Sequence, residues 1–255
     1  VEWARRYRPH APEGRQDRVL RRAPEGQPTL AVIATEPHPL RSAEPTYEAS
    51  DLYSFAQSLL RNAGLEPAKA GAVAEILVEG DLMGHSTHGL ALLAGYLQEI
   101  VEGRVTREGD VAVLKDREVT QIWDAHGLPG PWVALRAVDT ACDRARRFGS
   151  AVVVVRNAHH IASLVSYLHR ATSRGLMLIL SCSDPGSRSV APFGGRDAVF
   201  TPNPFAVGIP TQRTPVLIDM SASITSNAMS LSLEERGERF PGQWALDAQG
   251  MPSDD

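Results

Sequence analysis

The stretch Ala151–Ser183, which reads AVVVVRNAHHIASLVSYLHRATSRGLMLILSCS, changes its hydrophobic pattern twice. It begins and ends with short apolar runs rich in valine, leucine and isoleucine, which are typical of buried strands. Between these runs apolar residues recur at helical spacing, and a glycine closes the segment, because glycine tolerates a left-handed backbone. The stretch therefore predicts a buried strand over Ala151–Arg156, a helix over Ile161–Arg174 that ends at Gly175, and a buried strand over Leu176–Ser183.

Helices and strands continue on both sides of this stretch. Before it, the hydrophobic spacing predicts helices over Tyr47–Asn62, from Pro67 and over Leu90–Ile100, two short strands in VAVLKD and VTQIWDA, and a helix over Pro131–Phe148. After it, Phe205–Ile209 and Val216–Met220 are predicted strands within Asp184–Met220, a segment rich in glycine and proline. So many turn residues with little charge favour a loop surface built for a ligand.

The first 45 residues differ in composition from the rest of the chain. They are dense in arginine, proline and glycine and have no sustained apolar period. Such a segment buries too little apolar surface to offset the entropy of ordering it. We interpret residues 1–45 as a disordered Arg/Pro-rich extension rather than a nucleic-acid arm, since acidic residues offset part of the charge. Residues 46–110 are then predicted to form an N-terminal helical domain.

The overall composition bounds the protein's partners and compartment. Its 255 residues carry 26 basic and 30 acidic side chains, a formal net charge of −4, which gives no basic patch for nucleic acid. Cys142 and Cys182 lie far apart, which suits free thiols in a reducing compartment. The sequence shows neither an apolar run long enough to span a membrane nor the apolar core of a signal peptide. A cytoplasmic protein without a membrane partner is predicted.

Four of the eight histidines form two close pairs, His85 with His88 in GHSTHG and His159 with His160. Neither pair has the spacing of a strong zinc motif, and adjacent histidines point in different directions, so no metal site is expected. A zinc-dependent hydrolase using both pairs remains a weak alternative. His160 stands out because it falls between a predicted strand and the next helix, where open-sheet proteins commonly place their chemistry. An imidazole there can carry a proton near pH 7.

A dinucleotide site would need a place for phosphate, and the usual glycine fingerprints are missing from this sequence. The loop Ala191–Gly195, APFGG, offers small residues that let backbone N–H groups approach an anion. Any dinucleotide would therefore bind to a fold other than the common doubly wound sheet.

Taken in order, six motifs resemble those of the malate/L-lactate dehydrogenase family that is unrelated to Rossmann dehydrogenases. The family also includes ureidoglycolate dehydrogenases and piperideine-2-carboxylate reductases. The matching segments are GHSTHG, VVVRNAHHIASLVSYLHRA, SDPGSRSVAPFGG, TPNPFAVGIP, LIDMSASITSN and QWALDAQGMPSDD. The likeness covers about residues 46–255.

The resemblance implies an α+β fold in which helices pack on a mixed, largely antiparallel, non-Rossmann NAD(P)-binding sheet. This NAD(P)-binding domain would occupy residues 111–255. The family's later KGYG segment has no counterpart before Asp255, so the domain is expected to be incomplete at its C-terminus. The implied activity is hydride transfer between NAD or NADP and a small 2-hydroxy or 2-keto acid, such as malate or lactate, in a homodimer.

Residue roles follow from the resemblance one position at a time. His160 matches the catalytic proton donor and acceptor, and His88 matches the second active-site histidine. Ser86 or Thr87 would help His88 to orient the substrate. The positions expected at the cofactor site are Ser183, Gly194, Gly195, Asn203, Asp219, Met220 and Ser221. A helix N-cap is the alternative role for Asp219.

The sequence also departs from the family pattern. Leu92 stands where many members have an arginine that binds the substrate carboxylate, so Arg156 is a candidate replacement, with a surface arginine at a strand end as the alternative. Ile161 and Ala162 replace the usual Phe-Gly beside His160. Leu92 and the missing KGYG segment favour a second interpretation, in which the protein is a catalytically impaired homologue that acts as a binding protein.

Overall fold

The structure is a computed structural model and describes residues 46–255, so the extension predicted for residues 1–45 lies outside the described residues. The helices are α1 Ala49–Asn62, α2 Pro67–Leu82, α3 Leu93–Val101, α4 Gly130–Phe148, α5 Val165–Thr172 and α6 Asn227–Arg236. The strands are β1 Ala112–Arg117, β2 Thr120–Asp124, β3 Val152–Arg156, β4 Leu178–Ser181, β5 Phe205–Ile209, β6 Val216–Met220, β7 Ala245–Leu246 and β8 Pro252–Ser253. Two 3₁₀ turns, Ser86–His88 and Leu90–Leu92, connect α2 to α3.

The described strands form three small sheets. In the first, β1 runs antiparallel to β2 while β3 runs parallel to it. The second sheet has the order β4-β5-β6 with antiparallel neighbours throughout, and β7 pairs with β8 in a short antiparallel ribbon. The mixed α/β class predicted from the sequence is therefore confirmed.

The main core lies where the helices meet. Leu60 of α1, Leu77 of α2, Ile100 of α3 and Tyr167 of α5 are essentially inaccessible to solvent. α2 is apolar almost all round because α4 and α5 both pack against it. Each such side chain stabilises the fold by roughly 1.5–3 kcal/mol relative to its exposed state. Asp51–Asp255 forms one compact unit, and its main core contains residues from before and after residue 110. The domain boundary predicted at residue 110 therefore stays a prediction.

The prediction that β3 and β4 are buried strands is wrong for the described residues. Val152 and Val154 are 56% and 49% exposed, and Ile179 is 58% exposed. Their neighbours alternate as half-buried residues, because helices cover only one face of each sheet. An apolar run in the sequence does not distinguish a strand covered on two faces from one whose second apolar face is open.

The helix predicted over Ile161–Arg174 is shorter in the structure and begins only at Val165. Asn157 and Ala162 have φ angles of 56° and 57°, in the left-handed region, so the chain bends twice between β3 and α5. A non-glycine residue rarely adopts this conformation, and periodicity does not reveal it. The bend leaves His159 and His160 on a loop between the strand and the helix. The helix predicted from Leu90 likewise starts at Leu93, after the second 3₁₀ turn.

Within residues 46–255, no helix combines the length and the apolar character needed to cross a bilayer.

Candidate active site

The centre of the candidate site is a pair of imidazole rings from distant parts of the chain. His88 ends the first 3₁₀ turn, between α2 and α3, and His160 lies on the loop between β3 and α5. Their ring centroids are 6.0 Å apart and the ring planes are tilted by 32°. The structure thus brings together the two residues that the sequence analysis placed in catalytic roles.

Two glycines make this approach possible. A Cβ atom on Gly130, at the start of α4, would lie 2.2 Å from the carbonyl oxygen of His159 and 2.3 Å from that of His160. A Cβ atom on Gly89, directly after His88, would lie 2.2 Å from Oδ1 of Asp81. The His159–His160 backbone therefore packs directly against the start of α4, while Gly89 leaves room for the Asp81 carboxylate, which accepts the Leu90 N–H.

His160 is held by a tyrosine that the sequence analysis missed. The hydroxyl of Tyr96, a buried residue of α3, lies 2.7 Å from Nδ1 of His160 and donates to the His160 carbonyl oxygen over 3.2 Å. The backbone N–H of Ala162 lies 3.4 Å from the same Nδ1. Tyr96 follows Leu93 at helical spacing on the buried face of α3, and a buried hydroxyl needs a hydrogen-bond partner. That requirement was the one available clue in the sequence.

Both rings favour the neutral form. Burial by surrounding protein lowers the pKa of His160 to about 4, and the nearby His88 and His159 add to the effect. Burial and the neighbouring His85 likewise lower the pKa of His88. His160 as a residue is exposed to solvent, so water offsets part of this desolvation. At neutral pH, His88 and His160 are therefore both unprotonated.

His159 points away from this pair. Its Nε2 lies 2.6 Å from Oε2 of Glu99, and its ring meets the edge of Tyr96 with centroids 5.2 Å apart. The expectation that adjacent histidines face different surroundings is confirmed. His159 thus contacts Glu99 and Tyr96 of α3, whereas the ring of His160 lies beside that of His88.

Asp219 connects three of the sequence motifs. Its Oδ2 accepts the backbone N–H of Val165 at 2.7 Å and lies 3.4 Å from the hydroxyl of Ser163, which donates to it. The same oxygen lies 3.8 Å from Nδ1 of His85. The carboxylate therefore caps α5, although Asp219 belongs to β6. Asp219 is not itself the N-cap residue of α5, which is Leu164, but caps the helix from a distant strand. A ligand hydroxyl would have to share the carboxylate with α5.

Several residues expected at the cofactor site gather at one end of the β4-β5-β6 sheet. Ser181, Phe205 and Met220 are paired across this end. Beyond it, the N–H of Cys182 donates to the Pro204 carbonyl over 3.4 Å, and the Ser221 hydroxyl donates to the Pro202 carbonyl over 3.3 Å. These bonds hold together the segments that carry Ser183, Asn203 and Ser221.

Asn203 is the most unusual member of this group. Its φ angle is 46°, and its side-chain oxygen Oδ1 is buried without a hydrogen-bond partner among residues 46–255. A buried acceptor without a donor costs roughly 1–3 kcal/mol. A ligand that presents an N–H or O–H group at this point would recover that free energy.

Other expected site residues lie elsewhere or have different contacts. Gly194 and Gly195 belong to the loop between Val190 and Phe200, and the contacts of the described residues do not bring them to the sheet end. Ser86 is exposed on the 3₁₀ turn, while the Thr87 hydroxyl lies 3.0 Å from Nδ1 of His88. Thr87 thus orients His88.

Within the described residues, Arg156 makes no contact with His88 or His160. Its Nε and Nη2 lie 2.9 and 2.8 Å from Oδ2 of Asp124, a buried carboxylate that also accepts from Asn157. Asn157, the backbone N–H of His126 and Arg156 together hold the pKa of Asp124 at about 2. The geometry matches the strand-end alternative, and the carboxylate-binding role expected for Arg156 is not supported by its contacts.

Two further observations bear on the alternatives. Residues 46–255 contain no group of three or more His, Cys, Asp or Glu side chains arranged to hold a metal ion, so the zinc hydrolase gains no support. A surface groove of about 360 Å³ runs between α1, α2 and α4, and its lining includes Tyr53, Trp132 and Arg170 but none of the four paired histidines.

Comparison with known proteins agrees with this geometry. Residues 47–255 match the family model described as malate/L-lactate dehydrogenase. The chain is 31% identical over 184 residues to L-sulfolactate dehydrogenase of Methanothermobacter thermautotrophicus, covering 72% of this chain and 53% of that protein. It is 33% identical over 190 residues to L-lactate dehydrogenase of Cupriavidus necator, covering 73% and 54%.

A solved dehydrogenase from Sinorhizobium meliloti superposes with a TM-score of 0.76 at 28% identity, over 82% of this chain and 61% of that one. The chain thus spans little more than half the length of the curated relatives that it matches. Because the family model covers most of the chain, the protein belongs to the malate/L-lactate dehydrogenase family.

Proposed function

We propose that the protein is an NAD- or NADP-dependent dehydrogenase of small 2-hydroxy acids such as malate or lactate, converting them to 2-keto acids. The observation that carries this proposal is the pair of neutral imidazoles, His88 and His160, with ring centroids 6.0 Å apart. Asp184 and Asp219 both act electrostatically on this pair, so the end of the β4-β5-β6 sheet lies near it. The names of the relatives support the same class of substrate.

His160 is the residue we assign to proton transfer. During oxidation its neutral ring accepts the proton of the substrate hydroxyl, and during reduction the protonated ring returns it. General acid–base assistance of this kind contributes roughly 10²–10⁴ to a rate. His88, held by Thr87, would donate or accept a hydrogen bond that orients the substrate, and the exposed Ser86 hydroxyl is available for the same purpose.

The cofactor assignment rests on the sheet end. A nicotinamide dinucleotide, when bound, would take or supply the hydride. The unpartnered Oδ1 of Asn203 would accept from an amide or hydroxyl group of such a ligand, and the hydroxyls of Ser183 and Ser221 lie on the adjoining segments. The residues present therefore fit a polar ligand with several donors. Met220, at the end of β6, would offer an apolar surface to a flat ring.

The remaining assignments follow the family. We propose that residues 46–110 form a helical domain and residues 111–255 a non-Rossmann NAD(P)-binding domain, with Gly194 and Gly195 as further candidates for cofactor contact. A homodimer is the proposed assembly. A cytoplasmic location is proposed because both cysteines of the chain, Cys142 and Cys182, are free thiols, as in reducing compartments.

A catalytically impaired binding protein is the second candidate, and two observations favour it. Leu92 offers no charge, and the Arg156 guanidinium is engaged by Asp124. Neither position therefore supplies an unpaired positive charge for a substrate carboxylate.

Two measurements separate these candidates. Thermal denaturation with NADH and with NADPH tests the cofactor site, because a ligand at about 100 times its Kd stabilises the folded state by roughly 2.7 kcal/mol. Turnover of malate, lactate and sulfolactate then tests the chemistry, with His160→Gln as the inactive variant. Cofactor binding without turnover would favour the binding protein, and turnover by His160→Gln equal to that of the unchanged protein would refute the proposed role of His160.

A further inference from the structure

Nδ1 of His160 has two polar neighbours, and their geometry constrains where the ring proton sits. The Tyr96 hydroxyl lies 2.7 Å away, and the Ala162 N–H lies 3.4 Å away. Tyr96 has a single hydroxyl proton, and its oxygen also lies 3.2 Å from the His160 carbonyl oxygen. That proton can point at Nδ1 or at the carbonyl, but not at both.

The two arrangements differ in how many close contacts become hydrogen bonds. If Tyr96 donates to Nδ1, its oxygen faces the His160 carbonyl oxygen at 3.2 Å without a proton between them. If Tyr96 donates to the carbonyl, then Nδ1–H donates to Tyr96, and both short contacts are satisfied. The Ala162 N–H is then left without Nδ1 as acceptor, but at 3.4 Å it loses little, since strong N–H bonds are shorter.

We propose that Tyr96 is the positioning residue that sets the tautomer of His160, so that Nδ1 carries the ring proton and Nε2 is the atom that exchanges a proton with substrate. The inference deepens the proposed function and rests on it for the identity of the substrate. Among residues 46–255, no hydrogen bond is made by Nε2, which leaves this nitrogen available to a ligand. Fixing one ring nitrogen through a hydrogen bond to the other is a common way to select an imidazole tautomer.

This arrangement needs no rearrangement during the reaction. When Nε2 accepts the proton of a substrate hydroxyl, the ring becomes an imidazolium, and Nδ1–H still donates to Tyr96. Tyr96 itself keeps its proton, because burial and the nearby Glu99 raise its pKa well above the usual range. The proton therefore stops at His160 and is returned from the same nitrogen.

Tyr96 also affects the protonation equilibrium of His160. The titratable groups around the ring are His88, His159, Glu99 and Asp184, contributed by the 3₁₀ turn, its own loop, α3 and the loop after β4. None of them replaces a hydrogen-bond acceptor at Nδ1. Since a hydrogen bond to a charged donor is stronger than one to a neutral donor, losing the Tyr96 oxygen disfavours the imidazolium.

The test is the state of the His160 ring in the ¹⁵N-labelled 255-residue chain, measured by long-range ¹H–¹⁵N NMR correlation. His160→Gln identifies the signals by their disappearance. In the unchanged chain at neutral pH, we expect Nδ1 to carry the proton. In Tyr96→Phe, which keeps the ring packing, Ala162 remains as a donor to Nδ1. We therefore expect the tautomer to invert to Nε2–H and the pKa of His160 to fall by roughly one unit.

Tyr167→Phe is the matched control. It removes a hydroxyl that donates to the Ile161 carbonyl in the same loop but does not touch the His160 ring. We expect this variant to retain the Nδ1–H form. A neutral His160 that carries its proton on Nε2 in the unchanged chain would overturn the inference, even if Tyr96→Phe did not fold. So would a tautomer unaffected by Tyr96→Phe, or one inverted equally by Tyr167→Phe.

These outcomes are independent of turnover. The ring state is read without cofactor or substrate, so a confirmed tautomer in a protein without dehydrogenase activity would refute only the proposed function. An active enzyme with the other tautomer would refute only the role of Tyr96.

Discussion

At the scale of single residues, the position of His160 depends on a glycine as well as on hydrogen-bonding groups. Gly130 has no Cβ, and this absence lets the His159–His160 backbone rest on the start of α4. Tyr96 then reaches His160 from α3. The ring therefore has a fixed backbone on one side and a fixed hydrogen-bond partner on the other, which is how a loop residue can hold a catalytic orientation.

Substituting Gly130 tests this packing. In Gly130→Ala the new methyl group meets two carbonyl oxygens at 2.2 and 2.3 Å, so the loop must move. We expect a loss of roughly 1–3 kcal/mol in the free energy of unfolding, measured by urea denaturation. Gly95→Ala is the control, because a Cβ there meets no atom within 4 Å and helical alanine is favoured by about 0.5–1 kcal/mol. Equal stability changes in both variants would contradict the packing role.

Glu79 of α2 and His160 are expected to change the stability of the fold with pH in opposite directions. Burial raises the pKa of Glu79 to about 7 from an ordinary value of 4.5, and the nearby Glu75 adds to the effect. Its folded-state pKa is the higher one, so Glu79 destabilises the fold increasingly as the pH rises from 4.5 through 7. His160 has the lower folded-state pKa, so its contribution to stability falls as the pH drops from 6.5 towards 4.

Replacing Glu79 by glutamine separates the two effects. At pH 8 we expect Glu79→Gln to stabilise the fold by roughly 2 kcal/mol, after allowing for partial solvent contact, and to raise Tm by about 4–8 °C. Near pH 4 the two proteins should melt at similar temperatures, since Glu79 is then protonated in both states. Glu108→Gln, at an exposed position, controls for the loss of one negative charge. A pH-independent difference would rule out titration of Glu79.

At the scale of elements, α5 connects the histidine loop to the second sheet. Asp219 of β6 accepts the N–H of Val165, and Ala206 and Leu217 of the sheet belong to the cluster that packs with Leu168 of the helix. A carboxylate at a helix N-terminus also interacts favourably with the helix dipole. The cap therefore fixes where the loop ends and the helix begins.

Removing the cap should act locally. We expect Asp219→Ala to cost about 1 kcal/mol and to increase amide hydrogen exchange over the first turn of α5. Ser226→Ala is the matched control, since its hydroxyl caps α6 by accepting the Met229 N–H. That variant should raise exchange in α6 and leave α5 unchanged. If Asp219→Ala left exchange at Val165 unchanged, the cap would not be what holds the start of α5.

Element positions were more predictable from the sequence than element environments. The strands at Val152–Arg156 and Leu178–Ser181 were located by their apolar runs, but the same runs misled the prediction of burial because one sheet face is open. The start of α5 was missed because Ala162 adopts a left-handed backbone without being glycine. α6 was not predicted, since its serine-rich sequence, NAMSLSLEER, has no clear apolar period.

The residues of the candidate site likewise fall into those that the sequence identified and those that it did not. His88 and His160 were identifiable from their motifs, and the structure brings their rings together. Tyr96 was not identifiable as their partner, because its place on an apolar helix face has the pattern of ordinary core packing. For Arg156 the sequence left two roles open, since periodicity does not show that a buried Asp124 lies beside it across the β2–β3 pairing. Contacts between distant segments set these roles.

At the scale of the whole molecule, the second sheet has one covered face and one open face. Leu178, Leu180, Ala206 and Leu217 pack on α5, while Ile179, Ile209, Val216, Ile218 and Met220 are exposed on the other side. Ile179 and Ile218 both pair with Val207, so this surface is continuous across the strands. Continuous exposed apolar surfaces of this kind commonly mediate association.

We expect the 255-residue chain to self-associate through this open face. Ile218→Lys places a charge at its centre and should shift the chain towards monomer in light scattering while leaving the circular dichroism spectrum unchanged. Leu217→Lys, one residue away on the covered face, should unfold the second sheet because the charge would be buried against α5. Unaltered self-association of a folded Ile218→Lys variant would place the contact elsewhere.

The hydrogen bond between Tyr96 and His160 joins residues 64 positions apart in the sequence. A bond of this kind closes a long loop, so it forms only after helix α3 and the strand–helix loop have met, late in the search through chain conformations. In an unfolded chain, Tyr96 does not contact His160 and therefore does not set the tautomer of its ring. The Nδ1–H signal of His160 would therefore also report that α3 and the loop between β3 and α5 have come together during folding.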